Sequence, residues 1–200
     1  MLLSTRSRII ASAAVLFSIA ALFHWLNLAA AGPGEPKARV EFTADGKLKQ
    51  PEGYREWIYI GTPLTPNELN NGEARFNEFH NVYIDPESFA HFQKTGQFRD
   101  GTIIIKELVR VGSKEAPSGR GYFMGDFAGL ESSIKDVKRF KDEPGNWAYF
   151  SFGERKYPLK KEAGKESTAS CNSCHQSSAD TDEVFSQYYP VLRAAMPNAK

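Results

Sequence analysis

Two cysteines, three methionines and almost no excess charge are what this 200-residue chain is short of. With 25 basic against 24 acidic side chains the formal charge is +1, and no block of five like charges occurs. The electrostatic footprint of a nucleic-acid binder is therefore missing, and a polyanionic partner is excluded. There is no second cysteine pair to complete a structural zinc site, and no repeat or low-complexity segment to build a solenoid. What is present, 41% hydrophobic and 24% charged residues, suffices for one globular domain with a single core.

The first thirty-one residues have the pattern of an export signal. Arg6 and Arg8 precede an apolar run from Ile9 to Phe23, and the stretch ends in Ala29-Ala30-Ala31, a small-residue cleavage site. Cleavage there removes two arginines and no acid, which turns the formal charge from +1 to −1. An uncleaved membrane anchor is the weaker alternative, because His24 and Asn27 interrupt the span. Residues 1–31 are thus expected to be a signal peptide, 32–50 a Gly/Pro-led polar linker, and 51–200 the working domain.

Strand-like runs rich in β-branched and aromatic residues occur at Glu56 to Ile60, Phe76 to Ile84, Thr102 to Val111, Tyr122 to Phe127 and Trp147 to Phe152. The connection Gly112 to Gly121 is short enough for a hairpin, which favours an antiparallel sheet. One helix is expected over Pro86 to Lys94, capped by Asp85 and stopped by Gly96. A second is expected from about Leu130 to Phe140, where Leu130, Ile134 and Val137 share a face, and a third between Asp182 and Tyr189, ahead of Pro190. The expected fold class is α+β, mainly antiparallel sheet with flanking helices.

Both cysteines fall within Cys171-Asn172-Ser173-Cys174-His175, the C-x-x-C-H pattern of c-type haem attachment. Two thiols at this spacing can add to the two vinyl groups of one haem, and the adjacent histidine is then held under the iron. A thioredoxin-like pair calls for a strand-to-helix junction in βαβ units, whereas this motif follows a Lys/Glu/Ser/Thr-rich loop from Lys160 to Ser170. Zinc would need a fourth ligand, and past the signal only His80 and His91 remain besides His175, while a simple disulfide would not call for His175.

The other axial position decides what such a haem does. Past the signal only Met124 and Met196 remain, one inside an expected strand and the other near the end of the chain. An open site for a small molecule is therefore favoured over a six-coordinate electron shuttle. Lys106 shares a strand face with Ile104 and Leu108, and Glu107 lies opposite with Ile103 and Ile105. Enclosure would favour a neutral, nucleophilic amine, while a position near the strand end would let Lys106 reach water beside an exposed Glu107. Periodicity alone leaves both open.

From Tyr54 to Leu192 the chain resembles the cytochrome P460 family of exported mono-haem proteins. The resemblance is carried by Tyr54-Arg55-Glu56-Trp57, Gly61-Thr62-Pro63-Leu64-Thr65-Pro66-Asn67, Val82-Tyr83-Ile84-Asp85-Pro86-Glu87-Ser88, Gly96-Gln97-Phe98-Arg99-Asp100-Gly101-Thr102, Lys106-Glu107-Leu108, Gly121-Tyr122-Phe123-Met124-Gly125-Asp126, Glu143-Pro144-Gly145-Asn146-Trp147-Ala148, the C-x-x-C-H motif and Tyr189-Pro190-Val191-Leu192. It implies a periplasmic homodimer with one haem c, held by Cys171 and Cys174 with His175 as the iron ligand. It further implies hydroxylamine oxidation to nitric or nitrous oxide, with electrons passing to another exported cytochrome.

In this family a lysine forms an extra covalent bond to the porphyrin, and the matching residue is Lys106. Glu131 matches a distal carboxylate thought to move protons, although by itself it fits equally well as a solvated acid in the first turn of the expected second helix. His80 stands where the hydroxylamine oxidisers usually have Arg, so its role is a departure from the pattern. The related cytochrome c'-beta group, which binds nitric oxide and other small gases with little turnover, is the alternative. Phe76 and Phe79 would then cap the distal side, unless they are simply core.

Overall fold

The alternation of apolar and polar residues is realised as one five-stranded sheet. The structure, a computed structural model, describes residues 40–154 and 157–197. In chain order the elements are β1 (Leu48–Lys49), β2 (Ile58–Gly61), β3 (Phe79–Ile84), α1 (Pro86–Thr95), β4 (Ile103–Val111), β5 (Glu115–Ala116), β6 (Gly119–Arg120), β7 (Met124–Lys135), β8 (Trp147–Glu154), β9 (Glu162–Ala163), α2 (Asn172–Ser178) and α3 (Pro190–Ala195). The main sheet has the order β2-β3-β4-β7-β8, and every pairing in it is antiparallel. Strands β1 and β9 form a separate pair, and β5 and β6 make a small hairpin inside the β4–β7 connection. This is the α+β architecture expected from the sequence.

Because side chains alternate along each strand, the sheet separates two cores. One face presents Ile103, Ile105, Leu130, Ile134, Phe150 and Phe152, covered by Leu48, Trp57, Phe140 and Ala163. The other presents Val82, Ile84, Ile104, Trp147 and Tyr149, covered by Phe92 and Phe98 and by Val184, Tyr189 and Leu192 near the C-terminus.

Helix α1 ends where its caps dictate. Asp85, fully buried, accepts hydrogen bonds from the backbone N–H of Ser88 at 2.8 Å and of Ile103 at 2.9 Å, so one carboxylate both starts the helix and ties it to β4. Pro86 occupies the first turn, and Gly96 closes the helix at φ 70°.

Three expectations are corrected. Residues 130–135 are the second half of β7, not a helix, so Glu131 is a strand residue. The spacing of Leu130 and Ile134 is even as well as helical, and pairing with β4 and β8 decides between the two readings. The expected helix between Asp182 and Tyr189 is a tight turn followed by a 3-10 turn at Ser186–Tyr188, and Pro190 opens α3 rather than ending a helix. Ordered packing also reaches N-terminal of Pro51: Leu48 is fully buried, and Val40 and Phe42 pack against the same core. The expected signal peptide, 1–31, lies outside the described residues, as does the start of the 32–50 linker. Among the described residues no helix is long and apolar enough to cross a membrane.

Candidate haem site

The sheet register builds the floor of the site. Val82 on β3 lies opposite Lys106 on β4, Lys106 opposite Glu131 on β7, and Glu131 opposite Ser151 on β8, giving a transverse row of four side chains on one face. That face lines a cavity of about 730 Å³, within the range of cofactor pockets. All six residues singled out from the sequence, His80, Lys106, Glu131, Cys171, Cys174 and His175, line it.

Helix α2 presents the attachment motif. Cys171 stands at its N-cap with Cys174 and His175 one turn on, so the three side chains share a helix face. Both thiols are free, and burial pushes that of Cys171 up. The sheet is antiparallel throughout, so the βαβ setting of a thioredoxin-like pair is absent.

His175 is prepared as a ligand. Its Nδ1 lies 2.7 Å from the backbone carbonyl oxygen of Glu183. A carbonyl only accepts, so Nδ1 carries the proton and Nε2 keeps its lone pair for a metal. Burial lowers the pKa of the ring, which favours the neutral form that ligation requires. Tyr149 and Phe185 flank it, with ring centroids 4.3 Å and 4.7 Å away.

On the sheet floor Lys106 and Glu131 form an ion pair, with side chains 28% and 22% exposed. Lys106 is therefore half-buried beside a carboxylate, neither fully solvated nor in a purely apolar enclosure. Glu107 is buried at 2% exposure on the opposite face, hydrogen-bonded by Tyr54 at 2.6 Å and by Arg55, which rules out the exposed glutamate of the snorkelling alternative. His80 has a buried Nε2 with no hydrogen-bond partner. Burial, aided by Lys106 and opposed by Glu131, holds its pKa at about 4, so the ring is neutral at pH 7.

Of the ligand candidates weighed from the sequence, only His80 and His175 line the cavity. Met124 is half exposed on β7, and Met196 packs against the core beside α3. Phe76 lines the cavity and meets His80 edge-on at 5.9 Å, whereas Phe79 is core.

Sequence reasoning missed Arg75, Tyr149 and Phe185. Arg75 brings a permanent cation to the lining five residues before His80, from a loop with no periodic pattern. Tyr149 was recoverable from alternation with Ser151 along β8. Glu183 contributes through its backbone, which no side-chain pattern reveals.

A neutral imidazole with Nε2 free, two thiols a helical turn apart, and a buried, unpartnered nitrogen on His80 in the lining of a cofactor-sized cavity fit a haem c. No curated protein matches the chain. A family model described as Cytochrome P460 matches residues 51–186, which include every strand of the main sheet and the whole C-x-x-C-H motif. The chain belongs to the cytochrome P460 family, whose members are haem proteins.

Proposed function

We propose that the protein is a periplasmic, homodimeric mono-haem oxidoreductase that oxidises hydroxylamine to nitric or nitrous oxide and passes the electrons to another exported cytochrome. The observation that carries this reading is the convergence of Cys171, Cys174, His175, Lys106 and Glu131 on one cavity. When bound, the haem would supply the redox chemistry that takes up the electrons of hydroxylamine.

The chain's own residues do the rest. Cys171 and Cys174 would hold the haem by adding their S–H groups across its two vinyl double bonds, which requires no oxidant, and His175 would ligate the iron. Lys106 would make the third attachment. Replacing an amine N–H and a porphyrin C–H by one C–N bond releases two protons and two electrons, so this bond needs a two-electron oxidant of the peroxide class. Glu131, already paired with the amine, takes its proton. With that proton passed on, the Glu131 carboxylate would serve as the base for substrate protons. His80 adds a ring to the lining that burial keeps neutral, so it brings polarity there without a charge.

Production in cells that mature c-type cytochromes tests the proposal. The expected protein is coloured, has the mass of the chain plus one haem, and reduces an acceptor when given hydroxylamine. Lys106→Ala should retain haem through the two thioethers and lose that activity. The edge-on contact of Phe76 with His80 favours the second reading, a binder of nitric oxide in the manner of cytochrome c'-beta. An ordinary five-coordinate spectrum, with gas binding but no turnover, would select it. A strongly red-shifted, broadened Soret band selects the cross-linked enzyme.

A further inference from the structure

Two consecutive residues, Asp182 at φ 46° and Glu183 at φ 63°, occupy the left-handed region although neither is glycine. They are the central pair of a turn closed by Val184 N–H to Thr181 O at 2.9 Å, with the φ signature of a type I′ turn. Such turns favour Asn-Gly or Asp-Gly, and a glutamate in the glycine position is strained. Strain of this kind persists only where the surroundings impose it.

Here they do. Lys135, the last residue of β7, places Nζ 2.9 Å from both carboxylate oxygens of Asp182 and 2.7 Å from the carbonyl oxygen of Gly145. Trp147 adds its indole N–H to Asp182 Oδ1 at 3.4 Å. The lysine is largely buried, at 13% side-chain exposure. Gly145 lets the turn come close: a Cβ there would stand 2.9 Å from Glu183 Cγ and 3.0 Å from Trp147 Cδ1. The product of this arrangement is the direction of one backbone carbonyl, that of Glu183, which receives the Nδ1 proton of His175 at 2.7 Å.

We propose that Lys135 and Asp182 are positioning residues for the proximal ligand, a latch that fixes the strained turn and so sets the strength of the hydrogen bond from His175 to the Glu183 carbonyl. The inference rests on reading His175 as the haem ligand. A strong hydrogen bond from Nδ1 makes the imidazole a better electron donor and favours ferric iron. Strand β7 then serves both sides of the cofactor, with Glu131 and Lys135 four residues apart on one sheet face.

The test uses Asp182→Asn and Lys135→Met in the haem-loaded protein. Asparagine tolerates the left-handed region and keeps the volume but loses the ion pair, and methionine removes the cation from the other side. At a fixed ambient potential the ferrous-to-ferric ratio should rise about tenfold in each, or about 59 mV for one electron, with a lowered iron–histidine stretching frequency in the ferrous protein. Lys135→Arg should restore both towards wild type. Wild-type potential and stretch in either variant, with haem content retained, overturn the latch. If wild type itself carries no haem, the proposed function fails separately. The latch is then judged by hydrogen exchange at His175 Nδ1, which should quicken about tenfold in Asp182→Asn. Unchanged exchange overturns it.

Discussion

Lys106 and Glu107 are neighbours on β4, yet they face two different solvents. Glu107 points into a face filled by Ile105, Leu130 and Phe152, and its charge is met by the Tyr54 hydroxyl and the Arg55 guanidinium. Lys106 points into a cavity that also takes Glu131, His80 and Ser151. A charge on the filled face survives only when its hydrogen bonds are complete, because an unpaired buried carboxylate is costly. On the cavity face polar groups need not be fully paired, and the buried Nε2 of His80 has no partner at all. One sheet thus separates a filled face from a face that lines a cavity, and the boundary runs between adjacent positions.

The strongest way to break this division is on the filled face. Phe150→Ala, at a side chain 1% exposed, should cost about 3–5 kcal/mol through lost burial and the void left behind. Urea unfolding reads it as a lower midpoint with an unchanged slope. A loss below about 1 kcal/mol would mean that this face is not the principal core.

Next in size is a pH effect from the cavity face. His80 titrates near 4, against 6.5 for a free histidine, through burial and Lys106, with Glu131 opposing; the Arg75 guanidinium shares the cavity. As pH falls from 6.5 towards 4 the unfolded chain takes up a proton that the folded chain does not. The stabilisation is therefore complete above 6.5 and lost towards 4, by up to ~3 kcal/mol. Urea midpoints at pH 7 and pH 4.5 measure it, and His80→Phe should flatten the difference. An equally steep profile in that variant would assign the acid sensitivity to other groups.

These contrasts were partly legible in the sequence. Strands β3, β4 and β8 follow from β-branched and aromatic runs, and α1 follows from Asp85, Pro86 and Gly96, because the chemistry of each is local. The attachment motif is likewise contiguous. The identity of β7 was hidden by the even spacing of Leu130 and Ile134, which suits a helix and a strand alike. That error also concealed the pairing of Glu131 with Lys106, a contact set by register between strands and invisible to either segment alone. The Asp182–Glu183 turn suits a helix in sequence because nothing in its own composition demands positive φ; Lys135, forty-seven residues earlier, ties it down.

The smallest expected changes in stability sharpen the comparison most, because they set two glutamates against each other. Glu107→Gln keeps an oxygen to accept from Tyr54 and Arg55 but removes the charge, and should cost about 1–3 kcal/mol. Glu131→Gln also keeps volume and an acceptor for Lys106, but its partly exposed pair contributes little, so stability should move by only about 0.5 kcal/mol. The amide cannot take a proton, so the rate constant for hydroxylamine oxidation should fall about 10²–10⁴-fold while KM stays near the wild-type value. Chemical denaturation and steady-state kinetics on the same two preparations separate the outcomes. If Glu131→Gln destabilises as much as Glu107→Gln and leaves turnover intact, the row from Val82 to Ser151 is a second structural face, and the proton-transfer role of Glu131 falls with it.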